Sequence, residues 1–215
     1  MSLALYDESL RTPGAALSVR FANGVVQPLD LERWCGAITR SDNSLLDRVR
    51  GSALDIGCGP GRLTGALAAR GQRALGVDLS PTAVDLTRAR GGRALLRSVF
   101  DPIPGTGHWD TVLLADGNIG IGGDPERLLR RAGTLVRRGG TILVEITNSG
   151  RSHGRGLARL EEAGGRVGGW FAWEEPSAAH LAQYACAVGL RWLESWATRD
   201  EYGLDRAFVR LAVPS

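Results

Sequence analysis

The stretch Ala53-Leu54-Asp55-Ile56-Gly57-Cys58-Gly59-Pro60-Gly61-Arg62, continued by Leu63-Thr64-Gly65-Ala66-Leu67-Ala68, decides how this chain is read. A short apolar run containing Asp55 opens into glycines at alternate positions, and an Ala/Leu-rich helical pattern follows. Strand, tight turn and helix N-terminus are predicted in that order, so that a nucleotide-like ligand meets bare backbone. Working outward, strands are predicted over 52–56, 73–77, 93–99, 111–115 and 141–147. Helices fall between them over 62–69, over 81–90 behind a Ser80 cap, and from Asp124-Pro125 to Leu135, with Gly139-Gly140 expected to stop the last. This alternation implies a doubly wound parallel sheet. Beyond residue 148 the pattern changes to a polar, glycine-interrupted stretch over 157–166 and an aromatic one over 167–173. A helix over 177–188 and two alternating strands over 190–197 and 206–213 follow, read as an antiparallel hairpin. Ahead of the core, Asp30 is set to cap a helix through Leu31, Trp34 and Ile38. Ser41 or Asp42 is set to cap another through Leu45, Leu46 and Val49. Arg20 to Val26 reads as a turn flanked by short extended pieces.

A length of 215 residues suits one substantial α/β domain, and 43% hydrophobic with 23% charged residues is ordinary for a soluble globular protein. No apolar run reaches the ~20 residues of a membrane span. The first ten residues contain Asp7 and Glu8 and no basic-then-apolar leader pattern, so a cytoplasmic location and no membrane contact are expected. All 26 basic residues are Arg, the composition of a GC-rich genome. The densest pairs, Arg130-Arg131 and Arg137-Arg138, sit on and after one predicted helix, as a solvated face and a helix C-terminus rather than a nucleic-acid footprint. Cys35, Cys58 and Cys186 lack CxxC or Cys/His spacing, which indicates neither a disulfide framework nor a zinc site; no metal is expected. Cys58 reads as a small packed residue in the turn.

Three more motifs follow the glycine turn. Gly76-Val77-Asp78-Leu79-Ser80 places a carboxylate at the end of the second strand, where it can accept hydrogen bonds from both hydroxyls of a ribose. Arg97-Ser98-Val99-Phe100-Asp101-Pro102-Ile103-Pro104 ends the third strand, and Trp109-Asp110-Thr111-Val112-Leu113-Leu114-Ala115-Asp116-Gly117-Asn118 makes the fourth. A dinucleotide fold would show Gly-x-Gly-x-x-Gly; the spacing here is Gly-x-Gly-x-Gly after a strand carrying Asp55.

Together the motifs resemble the class I, Rossmann-like, S-adenosylmethionine-dependent methyltransferases. The resemblance implies a mostly parallel seven-stranded sheet with an antiparallel C-terminal hairpin strand and an N-terminal helical cap. It implies a single domain over 1–215, with the cap at 1–50, the cofactor core at 51–147 and the acceptor-side region with the closing hairpin at 148–215. S-adenosylmethionine is the implied cofactor, held by Asp55, Gly57, Cys58, Gly59, Gly61, Asp78, Leu79, Ser98, Val99 and Asp116. Family members usually carry an Asp where this chain has Ser98, a departure that leaves the adenine amino group to Ser98 or to the Val99 backbone.

Methyl transfer is an in-line displacement from a good leaving group, so alignment matters more than a base. Catalytic candidates are Asp116, Asn118, Glu145 and His153. The glycine-rich run from Asp116 to Asp124 is expected beside the transferring methyl. Tyr6 and Trp34 are candidates to close over the ligand, and Trp170, Phe171 and Trp173 to line an apolar acceptor pocket. A small-molecule acceptor of the kind methylated in bacterial secondary metabolism is expected, with no nucleic acid. Two other readings keep the cofactor: a cyclisation or other displacement driven by the sulfonium, and a non-catalytic regulatory or partner protein.

Overall fold

The computed structural model describes residues 3–12, 14–146 and 154–214. In chain order the elements are α1 (Leu3–Arg11), β1 (Leu17–Phe21), β2 (Val26–Pro28), α2 (Leu31–Cys35), α3 (Arg40–Leu46), β3 (Ala53–Ile56), α4 (Arg62–Ala69), β4 (Ala74–Asp78), α5 (Pro81–Ala89), β5 (Ala94–Leu96) and β6 (Trp109–Leu114). A 3-10 segment, Asn118–Gly123, leads into α6 (Pro125–Leu135), β7 (Val136–Ile146), β8 (Gly154–Glu162), β9 (Phe171–Glu175), α7 (Ala178–Ala187), β10 (Arg191–Arg199) and β11 (Asp205–Ala212).

Seven strands form one sheet in the order β10-β11-β7-β6-β3-β4-β5. The five from β5 to β7 pair in parallel, and β11 lies antiparallel between β7 and β10. Strand alternation splits the apolar residues between two faces. Val112 packs with Leu54, Leu128, Leu129 and Leu181 on one side, while Leu113 packs with Leu45, Leu63, Leu67 and Phe208 on the other. Both faces are covered, which is why β3 is buried throughout, Asp55 included.

The N-terminal cap is not wholly helical. The extended pieces around Asn23-Gly24 pair as β1 and β2, with Gly24 at φ 89° and the Asn23 carboxamide oxygen accepting from the Val25 N–H at 3.1 Å. β1 also pairs with β8, and β8 with β9, giving a second, antiparallel sheet in the order β2-β1-β8-β9. The stretch over 157–166 looked irregular because only one face of β8 is apolar. Ala158 and Leu160 pack inward, while Arg159 and Glu161 join Arg20 in a surface ion-pair group.

Three local expectations are corrected. Thr39, not Ser41 or Asp42, caps α3, and Asp42 closes the capping box from its third position. α2 ends at Cys35, short of Ile38. Gly139-Gly140 does not stop α6, which ends at Leu135; both glycines lie inside β7. A Cβ on Gly140 would stand 2.8 Å from the Asp110 carbonyl oxygen, so strand proximity, not helix termination, requires the glycine. β5 also ends at Leu96, which leaves Ser98 and Val99 in the following loop.

Candidate active site

β3 delivers the chain to a turn in which Gly57, Gly59 and Gly61 take φ of 68°, 53° and 86°. The Gly57 and Cys58 N–H groups donate to the Val77 carbonyl at 2.9 and 3.1 Å, tying the turn to β4. At the end of β4 the Asp78 carboxylate accepts from the Gly59 N–H and the Ser80 N–H, each at 2.9 Å. Asn118 Nδ2 donates to the Ile56 and Gly57 carbonyls at 2.9 and 2.8 Å, and a Cβ on Gly57 would lie 2.8 Å from the Asn118 side chain. Gly59 has only the Tyr6 hydroxyl within reach, 3.4 Å from a notional Cβ, so its backbone is bare toward the space beneath Tyr6. Gly61 answers a different need. A Cβ there would meet the Thr87 Cα at 2.6 Å, so Gly61 packs α4 against α5 and is not part of the cavity wall. Burial pushes the Cys58 thiol well up, and its sulfur rests 3.7 Å from the Thr87 hydroxyl, a packed group and not a nucleophile. Burial likewise raises Asp55 to about 6, against the pull of the Thr64 hydroxyl that donates to it at 2.7 Å.

Just past β6, Asp116 adopts φ 53°, a left-handed conformation that Asp tolerates better than most residues. Its carboxylate meets Arg33 Nη1 at 2.8 Å, Arg62 Nη2 at 2.6 Å and Arg206 Nη2 at 3.3 Å. Arg206 also grips Glu145 with Nε and Nη2, each at 2.7 Å, and Asp42 with Nη1 at 2.5 Å. Arg62 pairs with Asp42 as well, and the Asp116 N–H donates to Glu145 at 2.7 Å. Burial opposes charge at both Asp42 and Asp116, but the surrounding arginines outweigh it; Asp116 lies below the usual carboxylate range and Asp42 falls to about 2. This network joins α2, α3, α4, β7 and β11, and its Arg62 and Asp116 line the cavity described below. The sequence reading selected Asp116 and Glu145 but missed their partners. Of the other catalytic candidates, Asn118 braces the turn, and His153 lies outside the described residues.

A cavity of about 510 Å³ opens over the turn at the carboxyl edge of the parallel strands, where ligands bind in open α/β sheets. One half is walled by the turn, Asp78, Leu79 and the Ser98-Val99-Phe100 segment. Leu79 is 46% exposed, an apolar side chain at the mouth. Tyr6 and Trp34 form the roof, edge to face with centroids 6.3 Å apart. Asp7 anchors this roof: its carboxylate accepts from the Ser80 hydroxyl and from the Thr82 N–H at 3.3 Å. Burial, and then the nearby Asp78 charge, raise the Tyr6 phenol well above its ordinary value, so it stays neutral. The other half is walled by the second sheet, with Val19, Gln27, Leu160, Phe171, Trp173 and Glu175 reaching it. Trp170 does not; it is 46% exposed and stacks under Arg159. The glycine-rich segment after Asp116 is folded rather than loose. A Cβ on Gly120 would lie 2.7 Å from the Glu174 carbonyl and one on Gly123 2.5 Å from Ala172 Cβ, so these glycines let β9 lie across it.

Residues 54–144 match the family model described as a methyltransferase domain. The seven-stranded sheet has the fold of solved S-adenosylmethionine-dependent methyltransferases. Solved structures agree on the fold. An S-adenosylmethionine-dependent methyltransferase from Bacteroides fragilis in complex with S-adenosylhomocysteine is 22% identical, with a TM-score of 0.76 over 100% of this chain and 94% of that one. The 1,6-didemethyltoxoflavin-N1-methyltransferase of Burkholderia thailandensis is 20% identical, with a TM-score of 0.58 over 82% of this chain and 78% of that one. An amino pentose methyltransferase from Micromonospora echinaspora, involved in calicheamicin biosynthesis, is 18% identical, with a TM-score of 0.56 over 79% and 89%. No helix among the described residues is long and apolar enough to cross a membrane.

Proposed function

We propose that this chain is an S-adenosylmethionine-dependent methyltransferase that acts as one domain on a small-molecule acceptor. The observation that carries the reading is a cavity lined both by the glycine turn with Asp78 and by apolar and aromatic side chains of a separate sheet. A two-walled cavity of this size matches a donor and a small acceptor, not a polymer surface.

In this reading Gly57, Cys58 and Gly59 approach the methionine end of the donor, where the bare Gly59 backbone leaves room, and Asp55 steadies the turn from behind. Asp78 takes the ribose hydroxyls. A carboxylate offers about four lone-pair positions, and the Gly59 and Ser80 N–H groups use only part of that capacity. Leu79 covers the adenine, and Ser98 or the Val99 backbone meets its amino group. When bound, S-adenosylmethionine supplies a methyl group on a sulfonium sulfur that is already a good leaving group. The protein's task is then alignment and exclusion of water. Asp116 and Glu145, locked by arginines, position the strand ends rather than exchange protons. Two of the similar structures are named for small-molecule methylation, one of 1,6-didemethyltoxoflavin and one of an amino pentose, which supports a small acceptor.

The test combines calorimetry of S-adenosylhomocysteine binding with mass spectrometry of S-adenosylmethionine incubations over a small-molecule panel. S-adenosylhomocysteine formation coupled to a product heavier by one methylene unit is the expected result. Tight cofactor binding without turnover across the panel would favour the regulatory alternative, and product without the added mass would favour another sulfonium chemistry.

A further inference from the structure

Phe171 and Trp173 share a face of β9, and both reach the cavity. Both are partly buried, packed against the cluster that holds Val19 of β1 and Leu160 of β8. Those two residues pair across their strands and line the cavity as well. Of the described lining residues that the second sheet contributes, Gln27 and Glu175 are polar and the rest are apolar.

The two rings stand almost perpendicular, at 88° with centroids 6.0 Å apart. Trp173 is also seated against the parallel sheet's side of the cavity. A Cβ on Gly120 would lie 2.5 Å from its Cε2, and Gly120 belongs to the segment that follows Asp116 at the carboxyl end of β6. The indole therefore has little room to turn, and its angle to Phe171 is set by backbone on one side and by the apolar cluster on the other. A third flat ring placed in the corner between them can stack on one ring and meet the other edge to face. Each such pair is favourable beyond the apolar area it buries, whereas a puckered saturated ring of the same size gains the area alone.

We propose that the acceptor carries a flat aromatic ring system, which seats in the corner formed by Phe171 and Trp173. The proposal rests on the reading that the half of the cavity beside the glycine turn seats the methyl donor.

Calorimetry on the full chain saturated with S-adenosylhomocysteine, which fills the donor half, tests it with 2-naphthalenemethanol and its saturated decahydro counterpart. The two probes share a carbon skeleton and a neutral hydroxymethyl group, and differ in flatness and π surface. A cavity that selects apolar area alone would take the saturated probe at least as well. The aromatic probe should instead bind about five-fold or more tighter, the scale of two ring contacts. In Phe171→Leu and in Trp173→Leu, which keep apolar bulk, that preference should fall to about two-fold or less, and Trp173→Phe should keep part of it, while S-adenosylhomocysteine still binds. Equal binding of the two probes in the wild type, or preference for the saturated one, overturns the ring assignment without any variant. So does a preference undiminished in both leucine variants, or absence of binding of either probe to a protein that holds S-adenosylhomocysteine. Failure of the wild type to bind S-adenosylhomocysteine would instead overturn the donor reading beneath it.

Discussion

The buried ion network makes a quantitative demand on Asp42. Its side chain is 0% exposed and lies between Arg62 and Arg206, with the Arg206 contact at 2.5 Å. It also accepts the Thr39 N–H at 2.8 Å. Burial works against its charge, but the two arginines and the Thr39 hydrogen bond bring the carboxyl from 3.8 down to about 2. Each tenfold change in acidity is worth about 1.36 kcal/mol, so the ionised form contributes roughly 2–3 kcal/mol to folding. Asp42→Asn keeps the shape, resembles the protonated carboxyl, and should therefore lose about that much at neutral pH. Asp116 and Glu145 remain to balance the arginines, which keeps the loss at or below the ~3–5 kcal/mol of a fully broken buried pair. For a chain of this size the loss corresponds to a fall of about 5–10 °C in Tm. The folded-state value is depressed, so the wild-type advantage is fully present above the unfolded value of 3.8 and fades as pH falls toward about 2. Urea unfolding of wild type and variant at pH 7, 4 and 2.5 measures it. A loss below about 1 kcal/mol at pH 7, or a gap that does not narrow at pH 2.5, would refute the claim that the arginines stabilise this carboxylate.

Three further outcomes follow from the site. Asp78→Ala should weaken S-adenosylhomocysteine binding by about 1–3 kcal/mol, measured by calorimetry; unchanged affinity would place the ribose elsewhere. Gly57→Ala should destabilise the fold and loosen cofactor binding together, since the new Cβ would lie 2.8 Å from Asn118 at a φ of 68°; a wild-type melting curve would contradict the packing argument. Alkylation with iodoacetamide followed by mass spectrometry should modify exposed Cys186 readily while Cys58 stays unmodified until the chain unfolds, because Cys58 is 7% exposed and burial raises its thiol.

Much of this protein was legible in one dimension because its signals are local. The apolar run with Asp55, the alternate glycines and the Ala/Leu helix define strand, turn and helix within consecutive residues. The Ser80-Pro81 and Asp124-Pro125 caps mark their helices in the same way. Repetition of that unit settles a parallel sheet, and Asp78 follows from the place where the second strand must end. The active-site surroundings were less legible because their partners are far apart in the chain. Arg33 and Asp116 are separated by 83 positions, Arg206 and Asp116 by 90, and Arg206 and Asp42 by 164. Nothing local marks an arginine in an arginine-only chain as buried. Likewise Gly61 looks like its neighbours in the turn, and only the approach of Thr87 shows that it serves packing. Glu175 had a readable signal in its alternation with Phe171 and Trp173, but the pairing of β9 with β8, and of β8 with β1, is a tertiary event. By itself, then, the sequence determined the fold class and the glycine turn with Asp78 at the next strand end, since backbone geometry and strand-end chemistry are written in neighbouring residues. The aromatic wall of the cavity, and the ion-pair network that holds Asp116 and Glu145, were decided only when the closing hairpin, the cap and the second sheet brought distant charges and rings together.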